Sequence, residues 1–362
     1  MQTIPLVDVK AQYAPLIPEL EARFSEVIAS AEFIRGPHYW AFQKEAAAYL
    51  GVADTIGVAN GTDAIVLVLD AMEIGPGDEV ICPAFTFYAT AESIARRGAT
   101  PVFAEIDPVT LNLDVDDVAA KITVRTKAIM PVHLFGRPAR TAELVELGVL
   151  VIEDAAQAFG APGVAQLGTI ATYSFYPTKN LFCLGDGGLV ATTDTELADR
   201  VRMLSFHGSR DKVDFDFVGY NSRLDELQAG MLRIFLTHLD EWNRGRREAA
   251  ARYAELGLGE LVELPLDEPA HIYHLFVCRS PERDRICAAL SEAGIASATY
   301  YTTGLHLQPA LRFLGYEAGA LPETERAGQE TFSIPLWPGI PADVQERVVD
   351  TVRSAVGVGA RA

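Results

Sequence analysis

A lysine between two apolar, strand-like runs is the residue around which the candidate chemistry of this chain is organised. Lys179 follows the run 171–175 and precedes the glycine cluster 185–188, after which a second apolar run begins at Leu189. This order predicts a strand, a loop, a glycine-rich turn and a second strand. A lysine amine acts as a nucleophile when the protein holds it, partly desolvated, beside a carbonyl group. The alternative is an ordinary solvated loop lysine.

Three polar residues close to Lys179 in the sequence favour the chemical interpretation. Asp154 follows the apolar residues 151–152, Gln157 comes three residues later, and Ser174 lies in the run before the lysine. A strand-end carboxylate, a lysine and a hydroxyl are the protein groups that a pyridoxal phosphate (PLP) site needs. For Asp154 the alternative is a helix N-cap after a strand.

The motifs around Lys179 also resemble a known family. The run Ser174-Phe-Tyr-Pro-Thr-Lys179-Asn180 and the Gly-Asp-Gly-Gly turn at 185–188 are preceded by VIEDAAQ at 151–157 and followed by GYNSRLDELQA at 219–229. Together they resemble the DegT-type nucleotide-sugar aminotransferases, and the similarity extends from Ile4 to Pro338. The resemblance implies a fold type I aminotransferase that takes an amino group from an amino acid, expected to be L-glutamate, and passes it to a nucleotide-linked keto sugar.

The resemblance also assigns roles near the cofactor ring. Lys179 would form the Schiff base with PLP and later move the proton between the two reacting carbons. Asp154 would pair with the protonated pyridine nitrogen, and Gln157 would lie near the ring. Phe87 matches the aromatic residue that stacks on the ring, with Phe85 and Tyr88 as alternatives from the same segment.

Residues 60–63, Asn-Gly-Thr-Asp, lie between a predicted strand and a predicted helix. Free backbone N–H groups at a helix N-terminus form an anion site, although a plain glycine turn with a capping side chain is the alternative. By the resemblance, Gly61, Thr62 and Ser174 would bind the PLP phosphate. Asn221 would reach the phosphate of the partner subunit, which implies a homodimer with shared active sites.

Substrate contacts are predicted in two segments. In 300–309, Tyr301 and His306 are candidates, and Thr302 and Gly304 replace prolines that are usual in the family. Arg210, with Lys212 and Arg223 of the loop 205–223, is a candidate for the substrate diphosphate. Residues 301–309 and 206–210 resemble the matching segments of enzymes that aminate C3 of the hexose, with C4 of a 4-keto-6-deoxy sugar as the alternative.

Other histidines receive no catalytic role from the sequence. His133 is expected to be structural, and no usable constellation surrounds His38, His238, His271 or His274.

Composition is typical of a cytoplasmic globular enzyme. The chain has 362 residues, 49% of them hydrophobic and 22% charged, and no apolar run long enough to span a membrane. No signal peptide is evident. The four cysteines lack paired spacing, so free thiols are expected rather than disulfides or a metal site. The net charge of −19 argues against nucleic acid and anionic membranes as partners.

The predicted fold is α/β. Short apolar strands alternate with helices from about residue 53, which predicts a large domain with a mostly parallel sheet, of the seven-stranded type by the resemblance, covered by helices on both faces. Residues 1–240, including an N-terminal helix over 10–32, are assigned to this PLP-binding domain. Residues 241–362 are assigned to a small C-terminal α+β domain with strands over 272–278 and 297–301.

The sequence lacks the fingerprints of several other enzyme classes. The phosphate-binding loop of nucleoside triphosphatases, the dinucleotide-binding glycine motif and the hydrolase nucleophile elbow are absent. Sugar dehydratases related to the family carry histidine in place of the lysine, so Lys179 disfavours that activity. A regulatory or binding protein without turnover is the alternative from a different class.

Overall fold

A computed structural model describes residues 3–357, and its centre is a seven-stranded sheet. The strand order is β1-β7-β6-β5-β4-β2-β3. Neighbours from β6 through β5, β4 and β2 to β3 are parallel, whereas β7 is antiparallel to both β6 and β1. A second sheet contains the antiparallel pair β8 and β9. The predicted mostly parallel sheet is therefore confirmed.

The strands are β1 Asp54–Val58, β2 Glu79–Pro83, β3 Thr100–Ala104, β4 Thr126–Ile129, β5 Leu150–Asp154, β6 Ile170–Ser174, β7 Gly188–Thr192, β8 Phe276–Arg279 and β9 Thr331–Ile334. The α-helices are α1 Val9–Tyr13, α2 Ile17–Ser30, α3 Pro37–Leu50, α4 Gly61–Ala71, α5 Ala89–Arg96, α6 Val115–Lys121, α7 Thr141–Glu146, α8 Thr195–Ser205, α9 Glu226–Glu255, α10 Arg283–Glu292, α11 Pro322–Glu330 and α12 Ala342–Ala355. Short 3₁₀ turns cover Ala14–Leu16, Leu134–Gly136, Leu258–Glu260, Leu305–Leu307 and Pro309–Leu314.

The central strands are buried on both faces, which explains their continuous apolar runs. One face packs against α3 and α9 through a core that includes Phe42, Phe175 and Phe235. The other face packs against α4, α5 and α8. Buried side chains on both faces fix the sheet edge from which the strand-end residues emerge.

Two expectations about local structure were wrong. The N-terminal helix predicted over 10–32 is two α-helices joined by the 3₁₀ turn at 14–16; Pro15 removes a backbone donor there. The strand predicted over 297–301 is reduced to an isolated bridge between Ala298 and Ser333. The regular partner of β8 is β9 instead.

The long helix α9 runs from the large sheet to the C-terminal elements. Its 30 residues correspond to a length of about 45 Å. Its first half belongs to the core under the large sheet, and Ala249, Ala250 and Tyr253 pack with β8, β9, α10 and α12. No helix within residues 3–357 combines the length and the apolar composition that crossing a membrane requires.

Candidate active site

The loop between β6 and β7 carries Lys179. Its neck is closed by two backbone hydrogen bonds, from Phe175 N to Gly187 O at 2.8 Å and from Cys183 N to Phe175 O at 2.7 Å. A Cβ atom at Gly187 would lie 2.5 Å from Cys183 Sγ. The glycine cluster therefore lets the loop fold back tightly, and the lysine is held in a fixed turn.

Lys179 is partly buried and makes no ion pair or side-chain hydrogen bond in the part of the chain that the structure describes. Burial lowers the pKa of its amine to about 8, and the nearby Asp154 carboxylate acts in the opposite direction. An amine with this pKa is partly neutral at physiological pH, as a nucleophile must be.

Asp154 ends β5 and is buried. Its Oδ2 accepts a hydrogen bond of 2.8 Å from Thr90 Oγ1, and its Oδ1 accepts one of 3.2 Å from Ala156 N. Burial raises the pKa of the carboxyl group, while the Thr90 and Ala156 hydrogen bonds and the charge of Lys179 lower it. A cationic ring nitrogen in front of this carboxylate would offset the cost of its burial.

Thr90 was not selected from the sequence. It lies in the first turn of α5, after the loop that follows β2, and it is 1% exposed. Its position after a parallel strand was a usable signal, but only the structure places its hydroxyl on the Asp154 carboxylate.

The N-terminus of α4 forms an anion cradle with β6 and β7. Asn60 caps the helix by accepting a hydrogen bond of 2.8 Å from Asp63 N. The N–H groups of Gly61 and Thr62, the two residues before Asp63 in the same first turn, have no acceptor within residues 3–357. Ser174 is the neighbour of Gly61, because a Cβ atom added to Gly61 would lie 2.8 Å from Ser174 Cβ. Two free amides and a hydroxyl therefore converge, as phosphate binding requires.

Substitution of Gly61 tests the cradle. We expect Gly61→Ala to weaken PLP binding at least about tenfold, because the new methyl group collides with Ser174 and displaces the two amides. Cofactor titration followed by absorbance measures the change. Gly75→Ala is the matched control, because its Cβ atom would lie 3.5 Å from Arg97 O, in ordinary contact. Equal PLP affinities for the two variants would contradict the assignment.

Gln157 connects the site to the C-terminal part of the chain. Its Oε1 accepts a hydrogen bond of 2.6 Å from Phe135 N, and its Nε2 donates one of 3.2 Å to Tyr301 Oη. The Tyr301 ring stacks on Phe135, with centroids 6.4 Å apart, and meets Phe85 edge-on at 5.8 Å. Tyr301 is thus brought close to the predicted cofactor residues.

The three aromatic candidates occupy different environments. Phe85 is fully buried in one apolar cluster, and Tyr88 is partly buried against another. The Phe87 side chain, by contrast, is 60% exposed. A ring that stacks on a cofactor must present a free face. Of the three, Phe87 meets this condition best.

Three other predicted residues have polar partners other than Lys179 within residues 3–357; they are His306, Arg210 and Asn221. His306 is 1% exposed and its Nε2 lies 3.1 Å from Glu325 Oε1. Its ring fills the space beside Gly304, where a Cβ atom would lie 2.6 Å from His306 Cε1. A proline at 304 would therefore displace His306, which gives the departure from the family pattern a steric reason.

Arg210 and Asn221 lie on the loop between α8 and α9. Arg210 is exposed and forms an ion pair with Asp199, and exposed Asn221 accepts a hydrogen bond from Arg223. Within the described residues, neither side chain forms a hydrogen bond or an ion pair with Lys179, Asp154 or the cradle of its own chain.

The donor set fits PLP: an unpaired lysine, a buried strand-end carboxylate and an anion cradle arranged on an α/β sheet define the site of a PLP enzyme. The chain belongs to the DegT/DnrJ/EryC1/StrS aminotransferase family, whose model matches residues 16–353. The predicted family, enzyme class and PLP cofactor are thereby confirmed.

Two curated relatives are similar over nearly the whole chain. The pleiotropic regulatory protein of Geobacillus stearothermophilus is 46% identical over 96% of this chain and 97% of its own length. The UDP-N-acetyl-3-dehydro-α-D-glucosamine 3-aminotransferase of Acidithiobacillus ferrooxidans is 43% identical over 97% of each chain.

Two solved structures share the fold. DesV of S. venezuelae, in complex with a ketimine intermediate, has a TM-score of 0.95 and 41% identity over 99% of both chains. NtdA of Bacillus subtilis, with bound PMP, has a TM-score of 0.92 and 30% identity over 98% of this chain and 86% of the other. The predicted fold type I class is confirmed.

Proposed function

We propose that this aminotransferase moves an amino group from an amino acid to the ketone of a nucleotide-linked sugar. The observation that carries the proposal is the unpaired, partly buried Lys179 amine beside the buried Asp154 carboxylate. Asp154 ends β5 and Lys179 lies in the loop after β6, the strand whose last residue, Ser174, borders the anion cradle at Gly61.

Bound PLP would supply an aldehyde carbon that accepts the amino group and a ring that takes up electrons during proton transfer. Lys179 would hold that carbon, and a donor amine would release the lysine. The free Lys179 amine would move a proton between the cofactor's reacting carbon and the amino-bearing carbon, from the donor to the cofactor in the first half of the reaction and from the cofactor to the sugar in the second. Asp154 keeps the ring nitrogen protonated.

The other predicted residues position the cofactor. Gly61, Thr62 and Ser174 would bind its phosphate, Phe87 would stack on its ring, and Gln157 would lie near the ring. The free amides, the exposed aromatic face and the Gln157–Tyr301 hydrogen bond of 3.2 Å support these roles.

A nucleotide-linked substrate carries a diphosphate, which the net charge of −19 would repel. Locally the sign is reversed around Phe206, whose ring centroid lies 4.2 Å from Arg35, 4.7 Å from Lys212 and 5.3 Å from Arg223. We assign the diphosphate to this cluster, with Arg210 at its edge. His306 is 1% exposed, so its proposed effect on the sugar is indirect. Its ring would fix the conformation of residues 304–306.

C3 of the hexose is the favoured position of amination and L-glutamate the expected donor. The 3-aminotransferase of A. ferrooxidans, similar over the whole chain, supports this position. Amination at C4 is the alternative.

The same sequence family contains a protein named as a pleiotropic regulator, so a role without turnover is a second candidate. The Lys179 and Asp154 pair favours the enzyme. A cofactor band that does not change with any amino donor would favour the regulator.

The active site is proposed to be shared within a homodimer. Phe24, Ile28 and Ile34 are 46%, 51% and 52% exposed around α2, and an isolated protomer rarely leaves such a group of large apolar side chains in water. The exposed Asn221 loop would reach the phosphate cradle of the second protomer.

Asn221→Ala should weaken PLP binding without unfolding the chain, because Asn221 is exposed, its side chain accepts a hydrogen bond from Arg223, and its bridge to Phe206 uses backbone atoms that alanine keeps. Cofactor titration and size-exclusion chromatography measure the two effects. Mixed dimers provide the sharper test: at limiting PLP, combining Asn221→Ala with Lys179→Ala should restore intact sites to about one quarter of the total if sites are shared. No recovery would contradict sharing.

The domain boundary remains a proposal. We place the large domain at 1–240 and the small domain at 241–362, with the junction inside α9; residues 1–2 and 358–362 lie outside the described part of the chain.

An absorbance experiment tests the activity. The band of the bound cofactor should change on addition of L-glutamate and recover with a nucleotide-linked 3-keto sugar. Recovery with a 4-keto-6-deoxy sugar alone would select the C4 alternative, and the absence of any band after PLP addition would refute the proposal.

A further inference from the structure

Arg246, on α9, is a buried cation without an acidic partner. Its side chain is 0% exposed, and burial lowers the pKa of its guanidinium to about 10. Its Nη1 points to the carbonyl oxygens of Tyr273 and His274 at 3.5 and 3.4 Å, and its Nη2 donates to Gln12 Oε1 at 3.2 Å. No carboxylate of residues 3–357 pairs with it. A buried charge that is held only by neutral acceptors destabilises the folded protein.

His274 connects Arg246 to the loop that carries Lys179, because its backbone oxygen faces Arg246 Nη1 and its ring meets Asn180. Its ring is 4% exposed, and its Nδ1 lies 3.3 Å from the side-chain Oδ1 of Asn180, the residue next to Lys179. Burial first, then the charges of Lys179 and Arg246, lower the pKa of His274 well below its ordinary value. No carboxylate in the described part of the chain offsets these two charges at the imidazole.

The hydrogen bonds of Asn180 fix the tautomer of His274. The Asn180 amide nitrogen donates to Ile272 O at 3.2 Å and to Asn243 Oδ1 at 2.8 Å. A backbone carbonyl can only accept, so the amide orientation is determined and Asn180 Oδ1 faces the imidazole. Nδ1 of His274 must therefore be the donor. In the neutral ring Nε2 then carries the lone pair, and it has no hydrogen-bond partner within residues 3–357.

We propose that His274 is a positioning residue for Lys179: its Nδ1-protonated ring, fixed by Asn180, presents the Nε2 lone pair as an acceptor for the lysine amine, and burial together with the nearby Arg246 keeps the ring neutral. The inference rests on the proposed function, which gives Lys179 its role. A neutral acceptor beside the lysine would orient the amine when it is released from the cofactor. A second cation there would instead repel the protonated amine.

The state of His274 can be measured on the full chain labelled with ¹⁵N-histidine, with the His274 signal assigned by its loss in His274→Asn. The wild-type protein should show the Nδ1–H tautomer throughout pH 5.5 to 8.5. In Arg246→Met the signal should begin to titrate at the acidic end, because one of two repelling charges is gone. Arg247→Met is the matched control: Arg247 also binds carbonyl oxygens of this segment, those of Glu268 and His271, but it is paired with Asp267.

The role of His274 can be measured without cofactor. The rate at which Lys179 of the apoprotein is reductively methylated, followed by mass spectrometry, should show one inflection near pH 8, the pKa expected for this amine. His274→Asn keeps a donor for Asn180 but lacks an atom at Nε2, so the inflection should move about one pH unit lower as the ammonium loses its acceptor. His274→Gln, whose longer side chain can restore an acceptor, should fall between.

Two results would overturn the inference: an Nε2–H tautomer in the wild-type protein, or identical Lys179 profiles for the wild type and His274→Asn in folded proteins of equal thermal stability. Neither readout depends on turnover. A protein that never forms a cofactor band would refute the proposed function, whereas these measurements would still decide the state of His274.

Discussion

Lys179→Ala should reduce aminotransferase turnover by about a thousandfold or more, because it removes both the amine that holds the cofactor carbon and the group that moves the proton. The phosphate cradle and the Asp154 carboxylate remain, so the variant should still bind PLP. The visible band of the lysine-bound cofactor should be lost. Turnover assays measure the loss of activity, and absorbance spectra measure the loss of the band.

Lys127→Ala is the control for this variant. Lys127 is an exposed lysine of β4, so its removal should leave both activity and spectrum unchanged. Borohydride reduction of the wild-type holoenzyme should fix the cofactor on the peptide that contains residue 179. Retained turnover in Lys179→Ala, or label on another lysine, would refute the assignment.

Asp154→Asn should lower turnover by about a hundredfold or more while PLP stays bound, because a neutral amide does not keep the ring nitrogen protonated. Asparagine Oδ1 can still accept the hydrogen bond from Ala156 N, and its Nδ2 can donate to Thr90 Oγ1, whose hydroxyl can serve as an acceptor. The local structure should therefore persist. Burial raises the pKa of Asp154, which means that its ionised form is unfavourable in the apoprotein. The apo variant should therefore be at least as stable to heat as the wild type near neutral pH.

Thr90→Val separates the charge of Asp154 from its orientation. Valine has a similar shape but no hydroxyl, so Asp154 keeps its charge and loses the 2.8 Å hydrogen bond. Its effect on turnover should be smaller than that of Asp154→Asn. If Asp154→Asn retained turnover within tenfold of the wild type, the ring-nitrogen role would be wrong.

The central part of the site could be predicted from the sequence because its signals are local. Lys179, Ser174 and the glycine cluster lie within 15 consecutive residues, and Asp154 ends an apolar run that becomes β5. The strands of the large sheet were also predictable, since buried parallel strands are continuous apolar runs.

Contacts between distant segments could not be predicted in the same way. Thr90 of helix α5 meets Asp154 of strand β5 from 64 positions away, and His274 meets Asn180 from 94 positions away. Neither pair has a characteristic spacing. The segment 297–301 also has a strand-like composition, but β9 occupies the position beside β8 and leaves it one bridge.

The hydrogen bond from Gln157 to Tyr301 has a thermodynamic consequence. It joins the large sheet to a segment that packs with the C-terminal elements, so the ligand that orders Gln157 also favours the docked position of that segment. Ligand binding to the native state alone stabilises a protein by about 4 kcal/mol at a concentration a thousand times Kd. Because the hydrogen bond couples the large sheet to the C-terminal elements, a bound cofactor should stabilise both against unfolding. Calorimetry should therefore show a single cooperative unfolding transition as cofactor is added.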